Sequence, residues 1–233
     1  NEALTFDERN GLTPDRFTQN YDIATGGPDN IIVLGIGNFG FSILKDDKFI
    51  NYTKKDGLPD PRITAVDIDS DGIIWLGTDG SGVVKFDGEN FTQYTRKDGV
   101  ANPEIWSLYV DDYDKIWIGT YGGGVGVFDG ETWGVLDKRD GIVDNDISAI
   151  TSFGNSVYWF GSGFGAGVSE YRPSTSPGFS IVKEIVTSKN RYKLNDLNET
   201  PESVTGNRIN FIVNAANYNT HKDKQKFRYR INA

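Results

Sequence analysis

Residues 71–100 read DGIIWLGTDGSGVVKFDGENFTQYTRKDGV, and this stretch recurs along the chain. A shift of 42 positions carries Gly77 onto Gly119 and Gly161, and the reverse shift carries it onto Gly35. The same shift places Trp75 on Trp117 and Trp159, Phe86 on Phe128, and Asp98-Gly99 on Asp140-Gly141. A period of about 40–45 residues made of short strands and glycine-rich turns belongs to propeller blades. The chain is therefore predicted to be all-β, with blades near 21–58, 63–100, 105–142 and 146–172.

Each blade reads as four strands. In the second, these are Ile63–Ile68, whose alternation carries an irregularity, then Ile73–Gly77, Val83–Phe86 and Phe91–Thr95. Asp87-Gly88 has the composition of a type I′ hairpin turn, which needs positive φ at its centre. The strand Ile73–Gly77 is apolar on both faces, so it must be covered on both sides, as when blades pack face to face. Trp75, Trp117 and Trp159 accordingly read as inter-blade core. Residues 3–12, with Leu4–Phe6 before Asn10-Gly11-Leu12, match a closing strand whose blade is missing, and the fourth blade stops at Arg172-Pro173 without one. Either the two remnants seal a four-bladed ring, or the chain is an arc of a larger ring. The arc is the favoured reading.

These residues resemble the two-component regulator propeller repeat. The resemblance rests on DSDGIIWLGTDGSGVVKFDGENFTQYTRKDGV and DYDKIWIGTYGGGVGVFDGETWGVLDKRDGI, and four copies span Tyr21 to Arg172. It implies an extracytoplasmic sensor region of a bacterial membrane-bound signalling protein, often a hybrid histidine kinase responding to carbohydrates, with propellers commonly of seven blades. After the linker Ser174–Gly178, the run NRINFIVNAANYNTHKDKQKFRYRINA resembles the opening of a Y_Y_Y domain, an immunoglobulin-like sandwich. Strands are predicted at Phe179–Thr187, Arg208–Ala215 and Phe227–Ile231, with a polar loop over Arg191–Val204. Residues 179–233 then form a partial sandwich, through which the resemblance implies signal relay and homodimer formation.

Composition narrows the partners. The net charge of −9 divides into −14 over residues 1–175 and +5 over 176–233. An acidic propeller repels phosphate backbones, so nucleic acid is not an expected partner. No apolar run approaches a membrane span; Ile31–Leu34, for one, is only strand-sized. The chain opens at Asn1-Glu2-Ala3-Leu4 without Met and reads as a piece of a longer protein; the resemblance implies that it lies in the periplasm or outside the cell, with a membrane nearby in the parent. The basic cluster Lys222, Lys224, Lys226, Arg228 and Arg230 fits anionic lipid or a charged strand edge.

Catalytic chemistry has little to work with. His221 is the single histidine, there is no cysteine, and the chain is read as a non-enzyme with no cofactor. Asp67, Asp69 and Asp71 match the opening of a calcium loop, D-x-D-x-D-G, although Thr78 stands where an EF-hand needs Glu. An ordinary polar hairpin is the alternative. For a small-molecule or oligosaccharide ligand, propeller geometry points to the bends between second and third strands and the blade connections. Those positions are Asp79, Tyr121 and Phe164 from the bends, and Arg62, Glu104 and Asp146 before the first strands. The rings suit a sugar face and the charged groups its hydroxyls; the alternative for each is a solvated loop residue.

Overall fold

The computed structural model of the chain describes residues 5, 7–12, 21–154, 157–173, 179–186, 191–193 and 210–216. It divides into two compact units, Asn1–Pro173 and Ser174–Ala233. In the first, β1 (Tyr21–Gly26), β2 (Ile31–Ile36), β3 (Phe41–Lys45) and β4 (Lys48–Tyr52) form an antiparallel meander. A second meander holds β5 (Ile63–Ile68), β6 (Ile74–Thr78), β7 (Val83–Phe86) and β8 (Phe91–Tyr94). The third holds β9 (Ile105–Val110), β10 (Ile116–Thr120), β11 (Gly124–Phe128) and β12 (Trp133–Leu136). The fourth blade has three strands, β13 (Ile147–Phe153), β14 (Val157–Ser162) and β15 (Val168–Tyr171).

β6 and β10 are buried along their whole length. Separate apolar cores fill the gaps between successive blades, around Phe41 and Leu76, then Trp75 and Ile105, then Trp117 and Ile147. The tryptophans face forward. Trp75 meets Phe128 of the next blade at 5.8 Å, and Trp117 stacks on Tyr158 at 4.0 Å. Each indole is anchored to an aspartate at the end of the first strand: Trp75 Nε1 donates to Asp69 Oδ2 at 2.9 Å, Trp117 Nε1 to Asp111 Oδ2 at 2.8 Å. Burial alone would raise the Asp111 carboxyl. The bonds from Tyr158, Trp117 and two turn amides outweigh it and hold the pKa below the usual range.

Trp159 does not join this pattern. It is 37% exposed, against 4% for Trp75 and 2% for Trp117. Among the described residues no blade follows its face of β14 and β15, and Phe153 (81%) and Val168 (66%) stand open beside it. At the other end Ile23 is 63% exposed, while β1 packs on β5 and β13 on β9 and β10. Among the described residues, then, the blades form an open arc.

Turn chemistry repeats with the blades. After the closing strand, Thr53 and Asp137 each cap one turn of 3-10 helix reciprocally with Asp56 and Asp140, and Gly57 and Gly141 end it at φ near +98° (96° and 98°). Asp7, Asn10 and Gly11 build the same device at the N-terminus. It lies on the first blade: Asn51 Nδ2 donates to the Gly11 carbonyl at 2.8 Å and Asn10 Nδ2 to that of Asp47 at 3.3 Å. Leu4 and Phe6 lie outside the described residues. At Asp87-Gly88, positive φ occurs only at Gly88, so the turn is not type I′. The Asp87 carboxylate instead accepts the amides of Glu89 and Asn90. The expected type I′ geometry appears at Asp46-Asp47, where both φ are positive.

The irregularity in Ile63–Ile68 is a β-bulge, repeated in the next two blades, where pairing jumps from Ile63–Thr78 to Ala65–Gly77, from Ile105–Thr120 to Ser107–Gly119, and from Ile147–Ser162 to Ala149–Gly161. Inner strands are also clasped across blades. Asp22 accepts the Val66 amide at 2.8 Å, Asp67 that of Val110 at 2.7 Å, and Tyr109 meets Ser152 at 2.7 Å. Burial raises the Asp67 carboxyl above its ordinary range, against the pull of the Val110 and Ile68 amides.

Ser107 stands where the second and fourth blades carry Ala65 and Ala149. Its hydroxyl is buried without a hydrogen-bond partner among the described residues. Ser107→Ala is expected to stabilise the unit by about 1 kcal/mol, since an unmade buried bond costs roughly that or more. Urea unfolding of the two proteins checks this, and a destabilised alanine variant would contradict it.

In the second unit, β16 (Phe179–Val186), β17 (Arg191–Lys193) and β18 (Asn210–Ala216) form one antiparallel sheet in the order β17-β16-β18. β17 thus occupies the start of the stretch read as a polar loop, because it pairs with the end of β16. The linker, the Phe227–Ile231 strand, His221 and the basic cluster lie outside the described residues.

Candidate functional site

The bulges decide what faces the concave side of the arc. A bulge inserts one residue and re-aims its side chain; here the inserted residues are Thr64, Trp106 and Ser148. All three line a cleft of about 720 Å³, together with Asp22, Arg62 and Asp79.

At one end of this cleft, the bends and blade connections are tied together by backbone bonds. The Asp79 amide donates to the Arg62 carbonyl at 3.0 Å, that of Tyr121 to Glu104 at 3.1 Å, and that of Gly163 to Asp146 at 2.8 Å. The six expected ligand positions therefore gather at one mouth. Arg62 reaches Asp79 at 3.2 Å, and Asp79 forms an isolated bridge with Glu104. Asp146 Oδ1 accepts the Gly122 amide at 2.8 Å. Tyr121 and Phe164, both exposed, stand edge to face at 6.3 Å. Of the six, Arg62 and Asp79 line the cleft itself.

Arg62 is already engaged. Its second guanidinium nitrogen meets the buried Asp60 at 2.9 Å, and Ser81 donates to the same carboxylate at 2.6 Å. Burial pushes the Asp60 carboxyl up, but the Arg62 and Ser81 bonds overcome it and lower the pKa. This pair braces the rim.

The residue that sequence reasoning missed is Trp106. Its indole lies 5.1 Å from Tyr121 and 5.6 Å from Phe164, the latter edge on, and joins them into one aromatic cluster. Trp106 Nε1 donates to Glu104 Oε1 at 3.3 Å. A Cβ on Gly163 would fall on its six-membered ring. A signal existed: at this repeat position the neighbouring blades carry Thr64 and Ser148, so a tryptophan is out of pattern.

The three aspartates of the calcium reading do not converge. Asp67 accepts the amides of Ile68 and Val110, while Asp69 accepts those of Asp71 and Ile73 and the Trp75 indole. Asp111 makes the same bonds in the next blade, to the amides of Tyr113 and Lys115 and the indole of Trp117. Among the described residues, no group of three or more acidic or histidine side chains is placed to hold a metal ion.

Comparison with solved structures gives the fold. The extracellular domain of a hybrid two component system from B. thetaiotaomicron matches with a TM-score of 0.59 at 20% identity, over 88% of this chain and 28% of its own. A surface component of the type-IX secretion system of Porphyromonas gingivalis matches with a TM-score of 0.50 at 21% identity, over 75% of this chain and 28% of its own. A computationally designed protein matches with a TM-score of 0.51 at 17% identity, over 70% of this chain and 96% of its own. This chain thus spans 28% of the length of the two bacterial proteins. No curated protein matches it. Residues 57–80 and 99–122, each running from the end of one blade through the first two strands of the next, match the two component regulator propeller family.

Proposed function

We propose that the chain is the ligand-binding region of an extracytoplasmic sensor in a bacterial two-component-type membrane signalling protein. It takes a carbohydrate or similar small molecule at the mouth of the arc, and the C-terminal unit relays the event and supports a homodimer. The observation that carries this reading is the aromatic cluster Trp106, Tyr121 and Phe164 beside the Glu104 carboxylate. Sugars offer C–H faces to rings and hydroxyls to carboxylates, and pockets of several hundred Å³ suit such ligands. The reading is non-enzymatic and places the chain in the periplasm or outside the cell. No helix among the described residues is long and apolar enough to cross a membrane. The faces at Ile23 and Trp159 are covered in the parent protein by further blades of a larger ring, of the seven-bladed type.

An oligosaccharide thermal-shift screen tests the reading. A ligand at a hundred times its Kd adds about 2.7 kcal/mol, which moves a unit of this size by roughly 5–10 °C. The expected result is a shift with one glycan class that Trp106→Ala or Tyr121→Ala removes from an otherwise folded protein. A flat screen overturns it. The likeness to a secretion-system surface component favours one alternative, a surface binding scaffold without signalling, which is separated by whether a membrane span and a kinase follow in the parent gene.

A further inference from the structure

Two departures from the repeat coincide at the cleft mouth and fit one another. At the bulge position the blades carry Thr64, Trp106 and Ser148, and at the bend position Asp79, Tyr121 and Gly163. The large residue of the first series lies where the smallest residue of the second leaves room, since any Cβ on residue 163 would meet the Trp106 ring. With Glu104 on its Nε1 and Tyr121 and Phe164 against it, the indole is held as a rigid platform at the cleft.

The charge around that platform is predominantly negative. Arg62 is the one cation among the described residues that line the cleft, and Asp60 and Asp79 already hold it. Against it stand Asp22, Glu104 and Asp146. Their bonds come from the amides of Ile23, Val66 and Gly122 and from the Trp106 indole, with no ammonium or guanidinium partner among the described residues. Ring faces attract cations through their quadrupole, and a concave acidic surface raises the local concentration of positive ligands. Neutral sugars gain only the stacking; acidic sugars are repelled.

Resting on the saccharide reading above, we propose that the site selects an amine-bearing sugar, with the protonated amine over Trp106 and facing Glu104. The test is calorimetric titration of the full chain with the glucosamine trimer, the N-acetylglucosamine trimer and a glucuronate-containing oligomer, at about pH 6 where the amine is protonated. The expected result is at least about tenfold tighter binding of the amine trimer, weakened by salt. Trp106→Ala loses binding of every trimer. Glu104→Gln, which keeps its shape and its indole bond, loses only the preference for the amine.

Equal binding of amine and acetamide trimers, or preference for the glucuronate oligomer, overturns the proposal and leaves the saccharide site standing. Unchanged binding by a folded Trp106→Ala variant also overturns it. If neither trimer binds while another glycan in the wider screen does, the proposal falls alone. If no glycan binds, both readings fall.

Discussion

Trp117→Ala is expected to cost the blade unit about 3–5 kcal/mol, whereas Trp159→Ala, at the same repeat position, costs less than about 1 kcal/mol. The difference lies in the neighbour. Trp117 is 2% exposed, stacks on Tyr158 at 4.0 Å, and donates its indole proton to Asp111. Removing it opens a cavity between the third and fourth blades and takes one of the bonds that compensate a buried carboxylate. Trp159 stands on the uncovered face of the last blade, and the position equivalent to Asp111 is occupied by Phe153. Thermal unfolding of the two variants should differ by on the order of 10 °C. Equal losses would mean that the forward face of the fourth blade is covered after all.

Gly119→Ala is expected to cost about 3 kcal/mol or more, and Gly161→Ala nearly nothing. A Cβ at residue 119 would meet the Ser107 hydroxyl and the Ile147 carbonyl, and would lie 2.8 Å from the Ile147 methyl. Ile147 belongs to the neighbouring blade, so relief requires the blades to separate. At Gly161 the nearest atom is the Ala149 Cβ at 3.4 Å, an ordinary contact. Chemical denaturation of both variants reads this directly. Adding Ser107→Ala to Gly119→Ala should recover part of the loss, a non-additivity that residues in contact produce and distant ones do not. A Gly119→Ala protein as stable as its parent would show that the inter-blade gap is wider than described.

The open ends illustrate what a repeat hides. Trp75, Trp117 and Trp159 are equivalent in spacing, yet burial is a property of a pair of blades, and among the described residues the last tryptophan has no second blade to meet. The same holds for the calcium-like D-x-D-x-D-G, where Asp67, inside the first strand, bonds to a neighbouring blade and Asp69, just past the end of that strand, turns into its own hairpin. The turn at Asp87-Gly88 has the composition of one hairpin type and the φ pattern of another, because its carboxylate takes the bonds that would otherwise close the turn.

By itself, the spacing of Gly35, Gly77, Gly119 and Gly161 with the Trp-bearing strands was enough to determine a propeller-blade fold, the strand order, and the gathering of Arg62, Asp79, Glu104, Tyr121, Asp146 and Phe164 at one mouth. A meander repeated at constant period places equivalent loops at equivalent ends, so that much follows from periodicity alone. Only the tertiary structure decided that Trp106 completes the aromatic cluster and that Trp159 lies open. Both depend on contacts between blades, where a bulge turns one side chain into the cleft and the absence of a following face leaves another uncovered.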